Sequence, residues 1–309
     1  MSRYEPFESG AASMTLKPLE LTNEIAVVTG GANGIGKGIV KALLEQEMKV
    51  VIADIEKSVL DKTVEELSSF GEVSGFVTDV SDPVSVESLA DHVFSTFDKC
   101  TLLFNNAGVG SGGGGKAWEH EPNDWKWCFS VNVFGMSNGV MAFVPRMLES
   151  GKPGHVINTS SGDGGFAPVP MASIYASSKA AVSCFTEALQ HQLVLEDKDI
   201  GASVFYPSGG LMNTGLFNSQ RNRPSELERV KNPNKRKPMT FEELKNMLEQ
   251  SGREVQIADL DDLGRFVVKS VIKRQYIIAK DLDETVELLH RRADAIERFE
   301  VPPHHEMGL

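Results

Sequence analysis

The sequence predicts a doubly wound α/β fold in which a seven-stranded parallel sheet lies between two layers of helices. Short β-branched runs alternate with longer helical stretches along the chain, the pattern of strand–helix–strand units with right-handed crossovers. Most of the runs are continuously apolar, as strands buried on both faces of a parallel sheet must be. We therefore expect a single domain over residues 24–309, preceded by a polar N-terminal extension at residues 1–23.

Seven runs are predicted to form the strands of this sheet. In chain order they are Ile25–Thr29, Val50–Ala53, Gly75–Val77, Leu102–Asn105, His155–Thr159, Ala202–Tyr206 and Gln275–Ile278. Between the first two, apolar residues recur at the spacing of a helix, namely Ile35, Ile39, Val40, Leu43 and Leu44. A last helix is expected at about Asp283–Phe299, before a tail that contains proline and histidine.

A long insertion interrupts this alternation at about residues 215–255. Its first part is polar and basic, with Arg221, Arg223, Lys231, Lys235, Arg236 and Lys237. Its second part predicts a helix at Thr240–Gln250, because Thr240 and Glu243 have the spacing of a capping box. Long excursions from an α/β core are often lids or binding loops. We expect a substrate lid here, with a solvated insertion that makes subunit contacts as the alternative.

Composition and charge exclude several classes of protein. Hydrophobic residues make up 41% of the 309 residues and charged residues 24%, which is typical of a globular chain. The net charge of −12 argues against a general binder of nucleic acid or of anionic membranes. No apolar run approaches the roughly 18 residues of a membrane span, and the first 23 residues lack the apolar core of a secretory signal.

The cysteines indicate a reduced, cytoplasmic protein. Cys100, Cys128 and Cys184 are odd in number and lack CxxC spacing, so neither a disulfide framework nor a structural zinc site is expected. His304 and His305 in the tail have no neighbouring metal ligands in the sequence. No metal is therefore predicted.

A glycine-rich turn joins the first strand to the first helix, in the segment Thr29–Gly36. A helix N-terminus offers free amides to a pyrophosphate, and glycines at Gly30, Gly34 and Gly36 would let the phosphates approach. A glycine pattern alone is weak evidence. Here Asp54 ends the second strand, 18 residues after Gly36, where a carboxylate can bind the adenosine ribose hydroxyls. The combination predicts a dinucleotide site.

Asp54 also favours NAD over NADP, because its carboxylate would repel a 2′-phosphate. The neighbouring Asn33, Ile55 and Glu56 supply no cation to offset this repulsion. Lys57, or Lys37 in the first helix, could weaken the preference. NADP is therefore the less favoured cofactor.

A second glycine-rich loop, Val109–Lys116, resembles a phosphate loop only in part. Gly110 and Gly115-Lys116 have the right spacing, but Ala117 has no hydroxyl to coordinate Mg²⁺. Hydrolysis of a nucleoside triphosphate is accordingly disfavoured.

Tyr175 and Lys179 are four residues apart and would share one helix face. A surface tyrosine beside a solvated lysine is the ordinary explanation of such a pair. A phenol with a pKa of about 10 is a poor base at neutral pH, and a fixed ammonium can stabilise its phenolate. Upstream, a strand ends at Ser160-Ser161, where a hydroxyl could hydrogen-bond a substrate oxygen.

Taken together, these motifs resemble the short-chain dehydrogenase/reductase family, whose fold is a Rossmann sheet. The segments that carry the resemblance are TGGANGIG at Thr29–Gly36, Asp79-Val80, Asn105–Gly108, Asn132, Ser161 and YASSK at Tyr175–Lys179. They occur in the family's order and approximate spacing between Ile25 and Tyr206. This resemblance narrows the dinucleotide prediction to hydride transfer.

The resemblance implies roles for individual residues. The catalytic set would be Asn132, Ser161, Tyr175 and Lys179, with Tyr175 as general acid/base, Ser161 holding the substrate oxygen, Lys179 lowering the tyrosine pKa and Asn132 at a helix bend. The cofactor would be bound by Gly30, Asn33, Gly34, Ile35, Gly36, Asp54, Asp79, Val80, Asn106, Ala107, Gly108, Tyr175, Lys179, Pro207, Gly209 and Thr214. A homodimer or homotetramer is also implied.

The chain departs from the family pattern at three places. Ser161 lies 14 residues before Tyr175 where 13 is usual, so Ser160 is an alternative. After the sixth strand, either Asn213 or Thr214 could occupy the position of the family's threonine. The glycine loop around Gly112–Gly115 is also longer than is usual.

The leading functional hypothesis is NAD-dependent interconversion of a secondary alcohol and a ketone. Leu211, Met212, Leu216 and Phe217, near the start of the insertion, suggest a bulky apolar small-molecule substrate, although the basic residues of the insertion could instead face a carboxylate, phosphate or coenzyme A. The insertion and Gln220–Pro224 are similar to bacterial dehydrogenases that oxidise benzylic alcohols of lignin-derived β-aryl ethers, and a steroid or cyclic alcohol is an alternative. A redox-neutral isomerase, epimerase or dehydratase, or a non-catalytic NAD-binding module, would use the same fold.

Overall fold

The computed structural model describes residues 16–112, 114–231, 239–252 and 254–305. Seven strands form one parallel sheet in the order β3-β2-β1-β4-β5-β6-β7, which confirms the predicted fold. They are β1 (Ile25–Thr29), β2 (Lys49–Asp54), β3 (Val73–Val77), β4 (Leu102–Asn105), β5 (Gly154–Thr159), β6 (Ile200–Phe205) and β7 (Ile277–Ile278). The strand order reverses between β1 and β4, and open α/β sheets bind ligands at the carboxyl ends of such strands.

The helices lie on both faces of this sheet. They are α1 (Gly34–Leu44), α2 (Lys57–Leu67), α3 (Pro83–Phe97), α4 (Pro122–Phe129), α5 (Met136–Ser150), the single turn α6 (Gly162–Gly165), α7 (Ser173–Leu195), α8 (Phe241–Gln250), α9 (Leu260–Ile272) and α10 (Asp283–Glu297). Short 3₁₀ helices occur at Ala117–Glu119, Gly215–Asn222 and Ser225–Leu227, and a π-helix at Ser130–Gly135.

The two edge strands differ most from the sequence prediction. The central strands β1, β4, β5 and β6 are buried along their whole length, whereas residues of β3 are partly exposed. The predicted run Gln275–Ile278 forms only the two-residue β7, which pairs with β6 on one side. Continuous apolar runs therefore identified the interior strands best, because only those are covered on both faces and both edges.

Two apolar clusters form the core, one on each face of the sheet. On one face α1 and α9 pack in direct contact through glycines. A Cβ on Gly38 would lie 2.2 Å from the Leu260 carbonyl oxygen, and one on Gly264 would lie 2.2 Å from the Gly38 carbonyl oxygen. This close packing fixes the helix that follows the glycine turn.

The end of the N-terminal extension belongs to this core. Leu19 and Leu21 are buried, and the Leu19 amide donates to the Ile272 carbonyl at 2.9 Å. Residues 1–15 of the predicted extension lie outside the described residues. The packed region thus begins before residue 24.

The segment from Pro122 to Ser150 is the one stretch of the described chain that is long and apolar enough to cross a membrane. Most of it is buried inside the fold, where α5 packs against the sheet. It is therefore best explained as a core helix, and no other described helix meets the same criteria.

The insertion has two parts in the structure. Residues 215–231, which we call the strap, form the 3₁₀ turns and cross the carboxyl edge of the sheet. The predicted helix with its capping box is confirmed as α8, where the Glu243 amide donates to the Thr240 hydroxyl and the Thr240 amide to the Glu243 carboxylate. Lys235, Arg236 and Lys237 lie outside the described residues.

Candidate active site

A cleft of about 430 Å³ runs along the carboxyl ends of the strands. Most of the predicted site residues line it, namely Gly30, Asn33, Gly34, Ile35, Gly36, Asp54, Asp79, Val80, Asn106, Ala107, Gly108, Tyr175, Lys179, Pro207 and Thr214. Asn132, Ser161 and Gly209 do not. Of these three, Asn132 and Ser161 contact lining residues, whereas Gly209 has positive φ and lies next to Lys280.

The glycine turn leaves no room for side chains. Gly30 has a φ of +61°, and a Cβ there would lie 2.8 Å from the Ala107 Cα. A Cβ on Gly36 would lie 2.2 Å from the Gly30 carbonyl oxygen. Asn33 caps α1, accepting the Gly34 amide at 2.7 Å. The N-terminus of α1 consequently opens into the cleft with its amides and its positive dipole end.

Asp54 stands at the end of β2 and is held by two backbone amides. Its carboxylate oxygens accept from the Ala32 amide at 3.2 Å and from the Glu56 amide at 3.1 Å. Burial raises the pKa of this carboxyl above its ordinary value, against the opposing effect of those amides. The fixed carboxylate suits the binding of ribose hydroxyls.

Asp79 and Val80 form the wall of the cleft beyond Asp54. The Asp79 carboxylate accepts from the Ser81 amide at 2.9 Å and from its hydroxyl at 2.7 Å. Asn138 of α5 donates to the Val80 carbonyl at 2.9 Å and so ties this loop to the core. A polar side chain and an apolar one therefore stand together at this wall of the cleft.

Asn106 joins the glycine turn to the end of β4. Its amide nitrogen Nδ2 donates to the Thr29 carbonyl at 3.1 Å, and its backbone amide donates to the Thr29 hydroxyl at 3.0 Å. The two loops that flank the middle of the cleft are thus one hydrogen-bonded unit.

Tyr175 and Ser161 meet at the inner end of the cleft. Tyr175 lies in the first turn of α7, and Ser161 follows β5 and caps the turn Gly162–Gly165. The two hydroxyls are hydrogen-bonded. Ser160 also borders the cleft, but its hydroxyl donates to the Lys179 carbonyl at 2.8 Å and contacts Ser183. Ser161 is therefore the serine that faces the phenol, and the extra residue is absorbed by the irregular turn after it.

Lys179 and Asn132 complete this cluster. The Lys179 ammonium donates to the Thr159 carbonyl at 2.9 Å and lies 5.7 Å from the centre of the Tyr175 ring. Asn132 is buried in the π-helix, accepts from the Val109 amide at 2.8 Å and donates to its carbonyl at 3.0 Å. The break in helix regularity expected at Asn132 is present.

The electrostatics of the pair differ from the expectation that Lys179 lowers the tyrosine pKa. Desolvation, together with the charge of Asp163, raises the pKa of Tyr175 above its ordinary value, although the Ser161 hydrogen bond opposes this. Burial lowers the pKa of Lys179 to about 8. The reason is geometric, because the ammonium binds the Thr159 carbonyl and not the phenol oxygen.

The insertion supplies different contacts from those predicted. Of the four apolar residues predicted near its start to contact the substrate, only Leu216 lines the cleft. Met212 packs against the core, and Phe217 packs edge-to-face on Phe241. Trp127 of α4 also borders the cleft, but its side chain is only 1% exposed. Thr214 also borders the cleft, whereas Asn213 lies in a neighbouring depression beside Lys37.

Sequence reasoning missed two ionic contacts of the strap. Arg221 and Asn222 bind the carboxylate of Glu56, two residues after Asp54. Arg223 and Arg229 bind the buried carboxylate of Asp124 in α4. The basic character of the insertion was visible in the sequence, but partners about 100 and 165 positions away were not.

The C-terminal tail also reaches the site. The ring nitrogen Nδ1 of His305 lies 3.2 Å from the Asp163 carboxylate, and the His305 amide donates to the Pro168 carbonyl at 2.9 Å. His305 therefore has a partner that its sequence neighbourhood did not indicate. Within the described ranges, no three histidine, cysteine, aspartate or glutamate side chains converge as metal ligands would.

Comparison with known proteins agrees with this geometry. The family model described as short chain dehydrogenase matches residues 24–224. The C alpha-dehydrogenase of Sphingobium sp. SYK-6 is 35% identical over 209 residues, which is 67% of this chain and 66% of that protein, just under two thirds of its length.

Solved structures extend the likeness over most of the chain. A short chain dehydrogenase/reductase from Burkholderia phymatum in complex with NAD superimposes with a TM-score of 0.82 at 32% identity, covering 93% of this chain and 99% of that one. The apo form of LigO from Sphingobium sp. SYK-6 gives 0.71 at 29% identity, covering 91% and 90%. Complexes with NAD and with NADP both occur among the similar structures.

Proposed function

The chain belongs to the short-chain dehydrogenase family, and from this premise we propose that it interconverts a secondary alcohol and a ketone with NAD. The observation that carries the proposal is the hydroxyl pair of Tyr175 and Ser161 beside Lys179, at the inner end of the cleft. A protein that only binds a dinucleotide has no use for a phenol and a serine hydroxyl paired beside a buried ammonium.

The cleft fits a nicotinamide dinucleotide. The glycine turn and the N-terminus of α1 would hold the pyrophosphate, Asp54 the adenosine ribose, and Asp79 with Val80 the adenine. No side chain could occupy the cradle, because a Cβ on Gly30 or Gly36 would collide with neighbouring backbone. When bound, the nicotinamide would accept or donate a hydride at the substrate carbon. Asp54 supports NAD as the cofactor because its charge disfavours a 2′-phosphate.

Tyr175 would move the proton that accompanies the hydride. Its raised pKa keeps the phenol protonated at neutral pH, so it can donate to a ketone oxygen during reduction. That donation would leave a phenolate, which the ammonium of Lys179 would stabilise, and in the oxidation this phenolate would accept the alcohol proton. The Ser161 hydroxyl would hydrogen-bond the same substrate oxygen, and Asn132 fixes the Val109 backbone beside it.

The walls of the cleft support a bulky apolar substrate. Val131, Leu216 and Leu227 line the same cleft as Tyr175, and apolar walls favour contact with an apolar group. A similar protein is named C alpha-dehydrogenase, and the resemblance of the insertion to dehydrogenases of benzylic alcohols favours an aryl carbinol. We propose that class first and a cyclic alcohol second.

The test is formation of NADH from NAD across a panel of aryl carbinols and cyclic alcohols. Tyr175→Phe should lower kcat by roughly 10²–10⁴-fold, while direct titration shows NADH still bound. Tyr276→Phe, just before β7 and outside the cleft, is the matched control and should retain turnover. Substantial turnover by Tyr175→Phe would contradict the assignment. Interconversion of substrate epimers without net NADH would instead identify a redox-neutral enzyme.

Two further expectations belong to this proposal. The family resemblance favours a homodimer or a homotetramer, which light scattering of the purified protein would distinguish. The odd number and the spacing of the cysteines favour a cytoplasmic location, which is checked by fractionation of the cells that express the protein.

A further inference from the structure

The strap places a cation at the adenosine end of the cleft. Arg221 lines the cleft and donates through Nε to Glu56 Oε2 at 3.1 Å and through Nη2 to Glu56 Oε1. Asn222 adds a bond from Nδ2 to Glu56 Oε1 at 3.0 Å. Glu56 in turn donates its backbone amide to the carboxylate of Asp54. The proposed ribose ligand and this ion pair are therefore direct neighbours.

Other cations near the end of β2 are directed elsewhere. Lys37 binds Glu66, and Lys57 binds Asp61 on the same helix. Neither lysine lines the cleft. Among the described residues that do line it, the cations are Lys179, at the Tyr175 end, and Arg221. A phosphate at the adenosine ribose would consequently find Arg221 as its one cationic neighbour in the described part of the cleft.

Arg221 does not depend on Glu56 for its position. Its Nη1 donates to the Asn218 carbonyl at 2.7 Å and to the Gly215 carbonyl at 3.1 Å. Both acceptors belong to the strap, which Arg223 and Arg229 anchor separately to Asp124. Removing the charge of Glu56 would thus free the outer edge of a guanidinium that remains in place.

We propose that Glu56 determines cofactor choice by pairing with Arg221. The 2′-phosphate of NADP is then repelled by the carboxylates of Asp54 and Glu56, and Arg221, the one cation near it among the described residues, is already paired. This inference rests on the proposed use of a nicotinamide cofactor. In the native protein a 2′-phosphate would meet the charges of Asp54 and Glu56 while Arg221 is already paired. When Glu56 is neutral, Arg221 can bind the phosphate with charge-assisted hydrogen bonds, and the Asn222 side-chain amide lies next to it as a further donor.

The experiment measures the affinities of NADH and NADPH by fluorescence titration of the full chain. Glu56→Gln should raise the affinity for NADPH relative to NADH by about tenfold or more. Arg221→Met alone should give no such gain, and the double variant should return to within about threefold of the native ratio. Glu72→Gln, which removes an equal charge from a surface pair with Lys49, is the control and should leave the ratio unchanged.

A fragment titration separates this inference from the proposed reaction. Adenosine 2′,5′-bisphosphate and adenosine 5′-monophosphate differ in the 2′-phosphate, and their affinities depend on no alcohol or ketone. An Arg221-dependent gain for the bisphosphate in Glu56→Gln supports the inference even when no alcohol is oxidised. An unchanged ratio in Glu56→Gln, or a gain that survives Arg221→Met, overturns it. Thermal unfolding identifies a misfolded Glu56→Gln, in which case Glu56→Ala is measured instead and judged by the same criteria.

Discussion

The ionic cluster beneath the strap predicts a large loss of stability when its central carboxylate is neutralised. The side chain of Asp124 is 0% exposed, and Oδ1 accepts from Arg223 at 2.9 Å and from Arg229 at 2.8 Å. These guanidiniums are only 5% and 9% exposed. The side chain of His120 is also buried, with Nδ1 3.8 Å from Oδ2 of Asp124. Asp124→Asn keeps the shape of the side chain but leaves two buried cations without a counter-charge.

The expected cost follows from that burial. Removing one partner of a buried ion pair destabilises proteins by about 3–5 kcal/mol, because the remaining charge cannot return to water. The amide oxygen of the substituted side chain can still accept one hydrogen bond, so we expect a loss at the lower end, about 3 kcal/mol. The guanidiniums outweigh the burial that raises the pKa of Asp124 and hold it below its ordinary value. The stabilisation is thus present above about pH 4 and is lost as the pH falls through the lower, folded-state pKa.

The assay is unfolding in urea followed by tryptophan fluorescence, since Arg223 lies 5.2 Å from the centre of the Trp127 ring. Asp61→Asn is the matched control, because that carboxylate forms an exposed pair with Lys57 worth about 0.2–1 kcal/mol. Limited trypsinolysis would in addition show faster cleavage of the strap in Asp124→Asn. If Asp124→Asn costs no more than Asp61→Asn, the cluster is not a stabilising anchor and the reasoning fails.

The remaining predictions concern the glycine turn, two titrating groups and the thiols. Gly36→Ala should weaken NADH binding at least tenfold and destabilise the fold by about 1–3 kcal/mol, because the added Cβ would collide with backbone. Gly110→Ala is the control and should do neither, since the nearest atom to its Cβ lies at 3.6 Å. Equal effects of the two substitutions on NADH titration and urea unfolding would contradict this. Ketone reduction should be constant from pH 6 to 7 and decline above about pH 8 as Lys179 loses its proton, and Lys179→Arg, where folded and active, should move the decline upward. Burial lowers the pKa of His155 to about 3, so the unfolded chain binds this proton below about pH 6.5 and stability should fall from there to pH 3, with a shallower slope in His155→Gln. A thiol reagent should label one cysteine per native chain, the exposed Cys184, and all three after unfolding.

The fold could be predicted because its signals are local. The strands β1, β4, β5 and β6 are runs of four to six residues that are buried along their whole length, and the capping box of α8 spans four consecutive residues. The exceptions are instructive. β3 and β7 lie at the edges of the sheet, where one side has no pairing strand and burial is incomplete, so composition constrains them less.

The cofactor-binding half of the site could also be predicted from local signals, whereas the substrate-binding half could not. The glycine turn and Asp54 lie within 26 residues of one another and depend on backbone geometry that only certain residues allow. The pKa of Tyr175 depends on where the Lys179 ammonium points, and a spacing of four residues does not determine that. The positions of Leu211, Met212, Leu216 and Phe217 were equally undetermined, and all of these except Leu216 lie outside the cleft.

The strap shows what long-range pairing adds to the site. One end is held to α4 by Asp124, and the other contacts the end of β2 through Glu56. The first contact is fully buried, whereas the second is about one quarter exposed and is screened by solvent. Because the two anchors differ in this way, the strap can part from Glu56 at little cost while it stays fixed at Asp124. Substitution of Glu56 should therefore alter which dinucleotide the cleft binds, and substitution of Asp124 should release the strap from α4.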